Sequence, residues 1–392
     1  MLRAGSGSAV HADGFAAGQT AARRALAAAG YTSAPLAIVF AGARHHRDEF
    51  RDVLSSVELT TGARAIFGCS TTGVLTTGAE LESPSAVAVL VVDGGDDRLP
   101  APLVQHNTRR DPRGAGARLG AEAYEALDGQ VENAVLATLV DPHDLDAAAF
   151  LAGLAEGAPG LQVVGAGASA RDEGGARVFT SAGAFADAAV ALVIPASIRP
   201  TTGTSHGCQG VCEPMPITAV EGNTILEIDG RSPADVLQAI LELPGNRPLG
   251  RVPVPLMAGI GERMSDGRSD YVVRPFLVPE ENPRSLVVPE AVRAGQTIRF
   301  TLRDAIGARE DMKSMLEEQV EARGDHPAAF GLYFNCAGRG SALYGRSGLD
   351  PELIHRRFGD LPLVGIESAF EIAPACGRAQ IHMLTGVLVL AG

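Results

Sequence analysis

One order of apolar and polar positions recurs three times along the 392 residues. Each copy opens on a continuous apolar run: Leu36-Ala37-Ile38-Val39-Phe40, then Ala134-Val135-Leu136-Ala137-Thr138-Leu139-Val140, then Phe330-Gly331-Leu332-Tyr333-Phe334. Helical spacing follows near 47–58, 145–156 and 350–358. A short strand of two apolar residues then ends in a glycine, at Gly68, Gly165 and Gly365. Long apolar strands close the copies at 86–92, 189–194 and 387–390. Runs without alternation indicate sheets covered on both faces. A strand–helix–strand step favours a parallel pair with a right-handed crossover, and the last strand can return antiparallel. The expected fold is α/β to α+β: two domains of mixed β-sheets flanked by helices, built from repeated β-α-β-turn-β units. The three glycine turns then lie at equivalent sheet ends, either as tight connections or as backbone donors for a ligand.

Periodicity breaks down over 196–216, which is rich in Pro, Thr, Gly, His and Cys. That segment reads as a join between a first domain, 1–195, and a second, 217–392. Two cores suit a chain of this length. Short strands are expected near 224–229, 271–277 and 296–302, and a helix near 309–323 with Met312, Met315, Leu316 and Val320 facing the core. The Pro-rich, acidic stretch 278–289 reads as a surface loop.

Composition narrows the function classes. The net charge is −13 and no long basic run offsets it, which argues against duplex nucleic acid. Aromatic residues make up 5% and Trp is absent, leaving few platforms for stacking bases. The five cysteines are odd in number and scattered, as expected of reduced thiols in the cytosol. Arg23 and Arg24 interrupt the Ala-rich stretch 13–29, so it does not read as a secretory signal. No apolar run has the length of a membrane span. The expectation is a cytoplasmic protein without nucleic-acid or membrane partners.

Candidate chemistry gathers at the turns. Phe330 to Phe334 run into Asn335-Cys336-Ala337-Gly338-Arg339-Gly340. Arg339 there offers a planar donor fork between two glycines, expected to reach a cleft. Glu371 is the second polar residue of weight. The two could bind the carboxylate and amine of one ligand, or pair with each other. Cys336 reads as a thiol whose pKa Arg339 could lower, or as a packed strand-end cysteine. Gly68-Cys69-Ser70-Thr71-Thr72-Gly73 reads as an anion cradle or as a hydroxyl-capped turn, and lacks the Gly-Lys-Ser/Thr of a P-loop. Gly165-Ala166-Gly167-Ala168-Ser169-Ala170 approaches a dinucleotide fingerprint, but a loop follows where a helix is required, so that reading is excluded. His206, Cys208 and Cys212 do not have a zinc spacing.

Together, the Cys336 to Gly340 turn, the Leu361 to Pro374 segment, the Gly68 to Gly73 turn, Val163-Val164-Gly165-Ala166-Gly167 and the Ser205-His206-Gly207-Cys208 join resemble the FIST family over roughly residues 10 to 390. One position departs: Phe370 stands where the family usually has glycine. The resemblance implies a small-ligand-binding sensory protein, with an amino-acid-like ligand or another small anion bound near the domain join. Its ligand-binding residues would be Cys69, Ser70, Thr71, Thr72, Gly165, Ala166, Gly167, Cys336, Arg339, Gly340 and Glu371. No cofactor or catalytic residue is implied. Some members of the family sense nitric oxide through haem, and a lone histidine suffices as proximal ligand. His206 at the join is the first candidate, with His143, His355 and His382 behind it. No receiver or kinase segment is visible, so a signal would pass to a separate partner. The resemblance leaves a protein-interaction scaffold as a second class, and a cysteine-dependent enzyme as a third.

Overall fold

The computed structural model describes residues 2–42, 50–94, 99–172, 174–241, 256–264 and 270–392. Three equivalent units are present, each larger than the repeat expected from the sequence. The first comprises β1 (Arg3–Val10), α1 (Gly14–Ala29), β2 (Leu36–Gly42), α2 (Phe50–Thr61), β3 (Ala65–Thr71), the hairpin β4 (Val74–Thr76) and β5 (Ala79–Leu81), and β6 (Ala86–Asp93). The expected start of α2 at 47–49 lies outside the described residues. The second comprises β7 (Leu103–His106), α3 (Pro112–Ala126), β8 (Val135–Val140), α4 (Ala147–Gly157), β9 (Gln162–Gly167), the hairpin β10 (Val178–Thr180) and β11 (Gly183–Phe185), and β12 (Ala188–Ile194).

The third begins with β13 (Thr201–His206), inside the segment read as a join. An insertion follows: β14 (Cys208–Gly210), β15 (Met215–Glu221), β16 (Thr224–Ile228), α5 (Pro233–Ile240), β17 (Leu256–Gly261), β18 (Val272–Arg274), β19 (Leu286–Val287) and β20 (Thr297–Arg303). The unit then resumes with α6 (Ala305–Arg323), β21 (Phe330–Cys336), the short α7 (Gly340–Tyr344), α8 (Leu349–Phe358), β22 (Leu363–Ser368), the hairpin β23 (Glu371–Ala375) and β24 (Arg378–His382), and β25 (Thr385–Ala391). Aspartates cap α1, α3, α4 and α6: Asp13, Asp111, Asp146 and Asp304 each accept a first-turn N–H.

The three unit sheets have one order, β1-β6-β2-β3-β10-β11, β7-β12-β8-β9-β23-β24 and β13-β25-β21-β22-β4-β5. The hairpins are exchanged in a cycle. That of unit one completes the sheet of unit three, that of unit two completes unit one, and that of unit three completes unit two. Each parallel pair, β2–β3, β8–β9 and β21–β22, is followed by an antiparallel return, as expected. The inner faces of all three sheets share one apolar core, with Ile38, Phe40, Leu139, Val190, Phe334 and Val389 among its members. Each outer face has its own helix-covered core. Hence both faces of every central strand are buried. The insertion has a separate core around Ile217, Leu237 and Phe300. The architecture is α+β in two domains, with the helix-flanked mixed sheets that the repeats predicted, while unit three shares its inner core and its exchanged hairpins with units one and two.

The repeated glycines lie inside β3, β9 and β22, rather than at their ends. Each faces the backbone of its parallel partner. A Cβ at Gly68 would sit 1.8 Å from the Val39 carbonyl oxygen, one at Gly165 1.8 Å from that of Thr138, and one at Gly365 2.3 Å from that of Tyr333. The sequence signal for a turn was therefore a signal for close strand approach.

Candidate functional site

The three units, linked by the cyclic exchange of hairpins around their shared core, form a ring, and the turns after β3, β9 and β22 bond to one another within it. The Ser70 N–H donates to the Arg177 carbonyl at 2.9 Å, that of Gly167 to Phe370 at 2.9 Å, and that of Glu367 to Gly73 at 2.8 Å. Ser169 N–H donates to the Ser70 carbonyl and Ala369 N–H to that of Gly167, both at 3.1 Å. Thr72 N–H reaches Ser169 Oγ at 2.9 Å. Cys69, Ser70 and Thr71 are fully buried, and so is Ala166, which pairs with Glu371. The structure thus brings the expected turns together, but their donors hold the ring closed instead of facing a cleft. Burial pushes the Cys69 thiol well up. Phe370, the departure from the family pattern, packs its ring where a Cβ on Gly167 would come within 2.8 Å.

Arg339 does not reach a cleft. It is 1% exposed, and its fork clasps Asp350: Nε to Oδ2 at 2.8 Å and Nη2 to Oδ1 at 3.1 Å. Nη2 also donates to the Tyr344 hydroxyl at 2.7 Å, and Nη1 to the Ser205 carbonyl at 3.3 Å. Burial works against the charge, but Asp350, Tyr333 and Tyr344 more than offset it and hold the pKa above arginine's ordinary value. Sequence missed Asp350 because it lies in the first turn of α8, eleven residues on. Glu371 is not its partner. That carboxylate is buried and accepts from Ser368 Oγ at 2.7 Å, Thr385 Oγ1 at 2.6 Å and Thr385 N–H at 3.1 Å. Burial raises it to about 7, against those hydrogen bonds. Cys336 is likewise not activated. Burial and then the field of Glu371 push its thiol up to about 12, and Arg339 opposes this only weakly.

His206 is 2% exposed, stacked on Tyr271 at 5.1 Å and 5.9 Å from His382. With its ring enclosed by protein, it does not fit an axial haem ligand. Cys212 Sγ accepts from Phe300 N–H at 3.2 Å, while Cys208 packs with Tyr271 and Val273, so His206, Cys208 and Cys212 do not form a metal centre. His143 and His355 are more exposed, each beside an aspartate. His382 is buried, and burial and its cationic neighbours hold it down at about 3.

The insertion joins the ring through a two-stranded neck, where Cys208 of β14 pairs with Arg303 of β20. The Cys336–Gly340 turn grips both strands. Arg339 holds the Ser205 carbonyl beside the incoming strand, and Arg303 of the outgoing one donates to the Gly338 carbonyl. Beyond the neck, insertion and ring enclose a cleft of about 280 Å³. Arg274, Glu290, Arg293 and Glu262 line it from the insertion, Arg378 and Cys376 from the β23–β24 hairpin, and Leu151 and Ala155 from α4. Arg274 pairs with Glu290 at 2.9 Å, and Arg293 pairs with Glu262. Three arginines against two glutamates make the lining cationic, though the chain is acidic overall. Scattered over the sequence, these residues carry no motif that could have singled them out.

The FIST N domain model matches residues 35–231, and the FIST C domain model matches residues 233–374. The boundary between them falls within the insertion, at the start of α5. An uncharacterized protein of Mycobacterium bovis is 29% identical over 361 residues, covering 91% of this chain and 90% of its own length. An uncharacterized protein of Mycobacterium tuberculosis is 28% identical over 379 residues, covering 96% and 95%.

Proposed function

The chain belongs to the FIST family, whose domains are associated with ligand binding in sensory and signal-transduction proteins, and we propose that it binds an amino-acid-like ligand in the cleft between insertion and ring. The supporting observation is the alternation of arginine and glutamate in that cleft. A zwitterion exchanges partners there. Its carboxylate takes a guanidinium fork from Arg378 or Arg293, and its ammonium takes a freed glutamate. The volume suits a ligand of a few heavy atoms at the small end of binding sites.

Signalling follows from the neck. A ligand touching both walls favours the state in which they lie close, and shifts the population only by its difference in affinity between states. A separate cytosolic partner would read the altered position of the insertion. The buried, proton-retaining thiols support a binding protein rather than an enzyme.

The test is a thermal-shift panel of the amino acids and small carboxylates, with native mass spectrometry of freshly purified protein. A retained or stabilising compound is expected in wild type, and its effect is expected to vanish in Arg378→Ala. If no compound is retained or stabilising, or if Arg378→Ala responds as wild type does, the assignment to this cleft is wrong.

A further inference from the structure

We propose that Glu80, Glu82, Glu367 and Asn335 form a binding site for one hard divalent cation, of the Ca²⁺, Mg²⁺ or Mn²⁺ class, where the hairpin of unit one meets the sheet of unit three. One oxygen from each of the three carboxylates lies within 4.8 Å of the others. Glu80 belongs to β5, Glu82 follows it, and Glu367 stands on β22. Asn335 of β21 is the parallel partner of Glu367, so the two side chains share a face of the sheet. This is the helix-covered face, at the carboxyl ends of the two parallel strands, where open α/β sheets bind ligands.

The carboxylates are held in place by the protein. Gly348 N–H donates to Glu80 Oε2 at 2.6 Å, Ser341 N–H to Glu82 Oε1 at 2.9 Å, and Thr72 Oγ1 to Glu367 Oε2 at 2.9 Å. The charges acting on Glu80 are Asp350, Glu367 and Glu82, all negative. Such a cluster is repulsive by itself, and a cation removes the repulsion.

Asn335 is the independent sign of a ligand. It is 1% exposed, its Nδ2 touches Glu80 Oε1 at 3.3 Å, and its Oδ1 is buried without a hydrogen-bond partner. A buried amide oxygen left unpaired is costly. Rotating the amide by a half turn brings that oxygen to the edge of the carboxylate group, where a cation takes it as a fourth oxygen ligand. An all-oxygen set without imidazole or thiolate suits the hard cations rather than zinc or copper. Glu82 is exposed and gives the ion a way in from solvent.

The experiment titrates Mn²⁺ into metal-free protein and follows free Mn²⁺ by electron paramagnetic resonance, with Ca²⁺ and Mg²⁺ as competitors. One tight Mn²⁺ per chain is expected, together with a rise in melting temperature. The Glu80→Gln/Glu367→Gln double variant should bind at least tenfold more weakly. Because buried changes can disturb folding, the exposed Glu82→Gln and the neutral Asn335→Leu variants are tested beside it, with circular dichroism as the check on folding. Both are expected to weaken Mn²⁺ binding while the fold is retained. Absence of stoichiometric binding in wild type overturns the proposal, as does unchanged binding in the folded variants. Arg378→Ala leaves this site intact, so failure of the cleft and failure of the cation site are separable.

Discussion

Replacing Arg339 with alanine should destabilise the protein rather than only weaken ligand binding. Its partner Asp350 is 2% exposed and keeps two phenols when the guanidinium is gone, Tyr333 at 3.0 Å and Tyr344 at 2.9 Å. Breaking a buried ion pair from one side costs about 3–5 kcal/mol. The two phenols still solvate the carboxylate, which places the loss near the lower end, at about 3 kcal/mol. Lysine in place of arginine keeps the charge but only one directed contact, so it should recover part of the loss. Replacing both partners with apolar residues, as in Arg339→Met/Asp350→Leu, should recover most of it. Urea unfolding with linear extrapolation provides the assay, and the double-mutant cycle isolates the pair. Hydrogen exchange supplies a second readout. The lost bond to Ser205 should loosen residues 203–208 in Arg339→Ala before global unfolding. An unchanged urea midpoint in Arg339→Ala, alongside lost ligand binding, would refute the structural pair and restore the role of Arg339 as a ligand-facing fork.

Three other outcomes follow from buried groups. Glu371 keeps its proton up to about 7 in the folded state against an ordinary 4.5. The folded state therefore holds more protons than the unfolded one between those values, and stability falls as pH rises through that window, by about 3 kcal/mol. Glu371→Gln should flatten the pH profile of the urea midpoint, and a variant as steep as wild type would contradict this. Alkylation of native protein at about pH 7.5 should leave Cys69, Cys208 and Cys336 unmodified while the half-buried Cys376 reacts, as read by peptide mass spectrometry; rapid loss of the Cys336 thiol would reopen catalysis. Gly165→Ala should cost more than about 3 kcal/mol or prevent folding, because its φ is 147° and the added Cβ meets the Thr138 carbonyl oxygen at 1.8 Å. Normal stability by urea titration would show that β9 can move away from β8.

The repeat was legible because each central strand is apolar on both faces and each helix keeps its spacing. The outer strands were not. β1 reads Arg-Ala-Gly-Ser-Gly-Ser-Ala-Val, with none of the apolar continuity of a strand interior. Its glycines admit the Ala-rich α1: a Cβ at Gly5 would meet the Ala25 carbonyl oxygen at 2.3 Å. The Ala-rich stretch 13–29 is thus a helix packed directly onto a strand. β13 was hidden for a related reason, since Thr201-Thr202-Gly203-Thr204 lies at a sheet edge and needs no apolar run. At the candidate site, the motifs were visible but their occupancy was not. Arg339 between two glycines looked exposed, and only its tertiary partners, from Ser205 to Asp350, show why it is buried.

The turns after β3, β9 and β22 are also the points at which the chain leaves its own sheet. Thr71 to Gly73 lead into β4–β5, which cross to unit three. Ala168 to Arg177 lead into β10–β11, which cross to unit one. Ala369 and Phe370 lead into β23–β24, which cross to unit two. Sequence periodicity reports local geometry, so it marks these departures without naming their destinations: Val74 pairs with Ile366, almost three hundred residues away. Such pairings are slow to form, because loop closure must precede the contacts that offset it. They also determine how a signal can travel. Glu80 and Glu82 arrive beside Gly340 only because the hairpin of unit one is exchanged, and the same turn grips the neck through Arg339 and Gly338. An ion at the carboxylates would therefore act on this five-residue turn beside Gly340, and a ligand that shifts the insertion would act on it through the neck, at Gly338 and Arg339. Either occupant would alter the other's affinity to the extent that Cys336–Gly340 has two arrangements.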